Sequence, residues 1–123
     1  MTVYEPNPQI PTEGIELSIT SANDTLSARH FPAAHNELAS TQGRPCIVMA
    51  HGLGATQDSG LTPFAQAFAA AGAEVITFDY RHFAGSDGEP RQLVSIKGQL
   101  RDYQSVVACA RRMRNVDADR VYL

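Results

Sequence analysis

No apolar run in this 123-residue chain is long enough to cross a bilayer. The longest small and apolar stretch, Ala67 to Ala73, falls far short of the ~20 residues a spanning helix requires. A secretory leader is not written at the start either, because Met1 to Glu13 carries three prolines and no apolar core. A basic surplus is also missing. With a formal net charge of -3 and a pI near 5.7, neither nucleic acid nor an anionic membrane surface is indicated as a partner. Cysteine is scarce: Cys46 and Cys109 lie far apart, without metal-like spacing, and read as two ordinary thiols of a cytoplasmic protein. His30, His35 and His82 are scattered, with no i, i+4 pair on a helix, and read as surface or loop histidines rather than metal ligands. Repeats and low-complexity tracts are absent.

What is present is a globular composition, 43% hydrophobic and 19% charged, in a length typical of one domain. Pro6, Pro8 and Pro11 make residues 1–13 an extended arm. Alternation through Ile15, Leu17 and Ile19, turn residues at 21–24, and a second alternation through Leu26, Ala28 and His30 predict a hairpin over 14–31. Residues 32–45 read as a loop. From Cys46 to Ala50 the run is continuously apolar, as in a strand buried on both faces of a parallel sheet.

After a loop over 51–61, Thr62 as cap and Pro63 as first helical residue predict a helix with Phe64, Ala67, Phe68 and Ala71 on one face, stopped by Gly72. Glu74 to Tyr80 is a further strand. Residues 81–90 form a loop, and Ser95 caps an amphipathic helix along Ile96, Leu100, Tyr103, Val107, Ala110 and Met113. Its end carries Arg111, Arg112 and Arg114, where cations meet the exposed carbonyls. A turn at 117–119 leads to a strand starting at Arg120. The order of hairpin, strand, helix, strand, helix, strand defines an α/β class with parallel crossovers.

The most informative segment is His51-Gly52-Leu53-Gly54, directly after the central strand, where glycines let backbone approach a ligand closely. Two readings compete. Gly52, Gly54 and Asp79 fit part of a dinucleotide-binding fingerprint, a Rossmann-type nucleotide-binding half domain. The third glycine position is Gln57, however, and the helix starts too late to meet a pyrophosphate. The other reading is an oxyanion loop, whose backbone N–H points at a carbonyl oxygen as it gains charge.

Three ordered pieces carry a resemblance: the strand ending in His51-Gly52-Leu53-Gly54, the strand running Phe78-Asp79-Tyr80-Arg81, and Gly85-Ser86-Asp87-Gly88. With Val121-Tyr122-Leu123 as the start of a further strand, residues 14–123 resemble the N-terminal half of the α/β-hydrolase superfamily. The likeness is nearest its dienelactone-hydrolase, serine-aminopeptidase and X-Pro-peptidase-like branches. The resemblance implies a serine hydrolase acting on a small-molecule ester or amide, without a cofactor. It makes the Leu53 backbone N–H the first oxyanion donor, with His51, Gly52 and Gly54 shaping its loop. Asp79 and Arg81 then hold the loops together by an ion pair or backbone contacts.

Ser86 is not the expected nucleophile: the elbow needs glycine two residues either side, and position 84 is Ala84. No G-x-S-x-G occurs in the chain. The resemblance places that serine about four residues past Leu123, with acid and histidine later still. The chain is therefore expected to be an incomplete and inactive portion of the domain. Its last strand would be an open edge, prone to self-association, aggregation or a molten state.

Overall fold

The computed structural model describes residues 12–51 and 60–123; of the arm expected over 1–13, residues 1–11 lie outside them. Strands β1 (Ile15–Ser21) and β2 (Asp24–Phe31) form the antiparallel hairpin, with Ala22 at φ 53° in its two-residue turn. Ile19 and Leu26 are paired across it, and both are buried. β3 (Arg44–Ala50), β4 (Glu74–Phe78) and β5 (Val116–Tyr122) run parallel in the order β1-β2-β4-β3-β5, with β2 antiparallel to β4. The α/β class holds.

All five residues of β4 are buried, which explains why its sequence shows no alternation. Helix α2 (Ile96–Arg111) covers one face of the sheet: Val106 and Ala110 close over Ile19, Leu26, Cys46, Val48, Ile76, Phe78 and Val116. Fully burying side chains such as Leu26, Val48, Ile76 and Phe78 contributes about 1.5–3 kcal/mol each. Helix α1 (Leu61–Ala70) covers the other face, seating Ala65 and Ala69 against Phe31 and Val75.

Four local expectations are corrected. Helix α1 starts two residues earlier than expected, capped by Gly60 at φ 108° with no side-chain bond, so Thr62 is not its cap. Pro63 is thereby the third helical residue, still within the first turn, where a missing N–H costs nothing. The buried face of α1 is Ala65 and Ala69, while Phe64 and Phe68 are 62% and 39% exposed. Small residues let the helix axis approach the sheet closely, and the phenylalanines are turned aside.

On α2, likewise, Ile96 and Leu100 are 66% and 59% exposed, and the buried stripe runs Asp102, Val106, Ala110. Strand β5 begins at Val116, before the expected turn. A bulge opposite the Arg44 to Cys46 step absorbs residues 117–119, and Asp117 accepts the Asp119 N–H within it. Ser95 does cap α2, accepting the Gly98 N–H at 3.1 Å, and Gly72 at φ 108° follows the end of α1.

Candidate site at the carboxyl edge of the sheet

Parallel strands β3 and β4 end side by side, Ala50 opposite Phe78, so residues 51 and 79 leave the sheet at one edge. His51 is half-buried there. Gly52, Leu53 and Gly54 lie outside the described residues. The root of their loop is nevertheless fixed: the Ala50 N–H donates to the Tyr103 hydroxyl of α2 at 3.2 Å. Tyr103, Tyr80 and Phe78 pack edge to face, with ring centroids 5.1–5.9 Å apart. Burial, followed by the nearby Tyr103 and Asp102, pushes the Tyr80 phenol well above its ordinary range, so it stays neutral.

Asp79 and Arg81 both stand at this edge, each held by partners of its own. The buried Asp79 donates its N–H to the Ser27 carbonyl at 2.9 Å and accepts the Ser86 hydroxyl on its own carbonyl at 2.6 Å. Arg81 is bound by Asp102, a residue the sequence reading missed. Asp102 accepts the Arg81 backbone N–H and its Nε, each at 2.8 Å, and the Ser21 hydroxyl at 2.9 Å. Asp24 stands 3.6 Å from Arg81 Nη1, and Ser105 donates to Ser21. One helical carboxylate thus ties the β4 loop to the β1–β2 turn. The available signal was a lone acid at four-residue spacing before Val106 and Ala110.

Ser86 is a turn serine as expected. It is buried, donating to Asp79 and accepting the Ser27 N–H at 2.8 Å, so its oxygen is committed within the loop. The histidines are less free than expected. His30 Nε2 lies 2.8 Å from Glu74 Oε2, and His35 Nε2 lies 2.9 Å from the Ala70 carbonyl at the end of α1. His82, at φ 74°, has a buried Nδ1 with no partner among the described residues.

Glu74 sits at the opposite edge of the sheet, receiving Arg44 Nη1 at 2.8 Å and the Ala33 N–H at 3.1 Å as well. Burial pushes its carboxyl up, but the bonds from His30, Arg44 and Ala33 outweigh this and hold it below its ordinary range. Cys46 and Cys109 are free thiols, and no metal-holding group of His, Cys, Asp or Glu occurs among the described residues. No helix among them is long and apolar enough to cross a membrane.

This strand order, with an antiparallel hairpin flanking β4 and helices on both faces, is part of an α/β-hydrolase fold. Structural likeness places it there directly. The chain superimposes on the α/β hydrolase GrgF of Penicillium with a TM-score of 0.77 at 24% identity, covering 87% of this chain and 35% of that one. On the hypothetical protein PA2218 of Pseudomonas aeruginosa the TM-score is 0.78 at 20% identity, covering 98% of this chain and 39% of that one. In sequence, the chain is 40% identical over 114 residues to the quorum-quenching protein AidA of Acinetobacter baumannii, which spans 93% of this chain and 36% of AidA. It is 34% identical over 79 residues to the thiohydrolase aneE of Aspergillus aculeatus, 64% of this chain and 25% of that protein. The chain thus spans about a third or less of the length of these curated relatives. No family model matches it.

The Rossmann-type alternative is not favoured. Its crossovers would keep every strand of the half domain parallel, whereas β2 runs antiparallel to β4 and β1 to β2. The solved structures the chain resembles are α/β hydrolases.

Proposed function

We propose that the chain supplies the oxyanion-loop part of a serine hydrolase that cleaves an ester or amide through an acyl-serine intermediate. The carrying observation is the edge at which β3 ends. Ala50 and Phe78 finish together, so the His51-Gly52-Leu53-Gly54 segment departs where ligands bind in open α/β sheets. In this reading the Leu53 N–H donates to the developing oxyanion, Gly52, Gly54 and His51 shape its turn, and Asp79 and Arg81 brace the neighbouring loop. The kinship to a thiohydrolase and to α/β hydrolases supports hydrolytic chemistry.

Nucleophile, acid and base come from outside these 123 residues, because Ser86 is spent on Asp79 and Ser27. By that mechanism the chain alone turns nothing over. A cytoplasmic setting and self-association through the outer edge of β5 belong to the same proposal.

The test reads the gene beyond codon 123. A Gly-x-Ser-x-Gly within ten codons is expected, and its absence overturns the proposal. In the product so encoded, Leu53→Pro deletes the donor N–H, and hydrolysis of a p-nitrophenyl ester should fall about 100- to 1,000-fold in kcat. An unchanged kcat removes Leu53 from the role.

A further inference from the structure

Between the start of the loop after β4 and the first turns of α2 lies an open cavity of about 300 Å³, walled by Arg81, His82, Leu93, Ser95, Lys97, Gly98 and Arg101. That is the lower end of the size range of small-molecule sites, ~300–1,000 Å³. The composition of this wall is one-sided. Three of its seven residues are permanent cations, and none is an acid.

The arginine at its back is oriented before any ligand arrives. Arg81 is only 13% exposed; Asp102 holds its Nε at 2.8 Å and Asp24 stands 3.6 Å from Nη1. Nη2 has no hydrogen-bond partner among the described residues and faces Gly98, lying 3.7 Å from where a Cβ would stand. At the mouth, Lys97 and Arg101 are four residues apart on α2, hence neighbours on one helix face, and both are exposed. Neither forms an ion pair among the described residues. Three positive charges against the two carboxylates on Arg81 leave one unbalanced positive charge, which suits a monoanion. Leu93, 43% exposed, gives the wall its single large apolar surface.

We propose that this cavity binds a small organic monocarboxylate, its carboxylate held between Arg81 Nη2 and the Lys97 and Arg101 side chains, and its short apolar tail against Leu93. A guanidinium fixed by its other nitrogens loses little freedom on receiving a carboxylate, so the pairing is stronger than one with a mobile surface arginine. The site stands independently of the hydrolase reading, because it uses neither the 52–54 loop nor any nucleophile.

The test is saturation-transfer NMR on the 123-residue chain at low micromolar concentration, with millimolar hexanoate as probe and hexan-1-ol as its uncharged counterpart. Hexanoate is expected to receive saturation and hexanol not to. The Lys97→Gln/Arg101→Gln double variant, altered only at exposed positions, should lose the hexanoate signal at least about tenfold, whereas Arg111→Gln/Arg112→Gln at the far end of the same helix keeps it. Binding of hexanol equal to hexanoate would show a merely apolar surface and overturn the proposal. So would a signal that survives in the first variant, or one lost equally in the second, which would mark a diffuse response to net charge.

Discussion

Asp102 grips Arg81 twice, taking its backbone N–H on one carboxylate oxygen and its Nε on the other, both at 2.8 Å. With 1% exposure, this carboxylate has exchanged water for three donors at once, the Arg81 N–H, the Arg81 Nε and the Ser21 hydroxyl, and each removal leaves something buried without a match. Replacing it by asparagine sets an NH2 group against donors. Asp102→Asn is expected to lower stability by about 3 kcal/mol, the scale of a broken buried ion pair. Ser105→Ala, which removes only a bond to Ser21, should cost about 1 kcal/mol or less. Urea midpoints at low micromolar protein measure both, and equal losses would refute the ranking.

Glu74 predicts an acid-labile fold. Its carboxyl is held below its ordinary value of 4.5, so its stabilising contribution is complete above that value and is lost as pH falls through the lower folded-state value. Glu74→Gln should cost about 2 kcal/mol at pH 7, less than the ~3–5 kcal/mol of a fully enclosed pair because water still reaches His30 and Arg44. The variant should also show a shallower stability loss as pH falls below 4.5. Parallel pH profiles of the two proteins would assign the acid sensitivity elsewhere.

The two thiols should differ sharply in reactivity. Burial first, then the nearby Glu74 and Cys109, push Cys46 up to about 12, so almost no thiolate exists at pH 8. Ellman's reagent is expected to modify Cys109, which is half-buried on α2, while Cys46 reacts only when urea opens the fold. Two equally fast thiols in the native chain would contradict this burial.

The rotation of α1 separates exposed from buried positions. Phe64→Glu is expected to change the stability read by urea by less than about 0.5 kcal/mol, because the side chain is exposed. Ala65→Leu, one residue away, overfills the contact with Phe31 and Val75 and should cost about 1–3 kcal/mol. If Phe64→Glu proved the more destabilising of the two, the orientation of α1 would be wrong.

Much of the fold was legible because its strongest signals are local. The period-two alternation of 15–31 became a hairpin, and the unbroken apolar run at 46–50 became a strand enclosed on both faces. The helices were legible in existence but not in rotation. Apolar periodicity alone put Phe64, Phe68, Ile96 and Leu100 on the inward faces, whereas close approach favoured alanines and, on α2, a carboxylate whose partners lie 21 and 81 residues away. Such partners leave no short-range pattern. Asp79 and Arg81 were expected to brace the loops, yet the residue that holds Arg81 could be found only in three dimensions.

The bond from the Ala50 amide to the Tyr103 hydroxyl reaches beyond packing. It fastens the last residue of β3 to the helix on the sheet's outer layer, so strand and helix at that end open together or not at all. A slow-exchanging amide at Ala50, protected to the same degree as the amides around Tyr103, would mark the end of β3 and the middle of α2 as one cooperative unit.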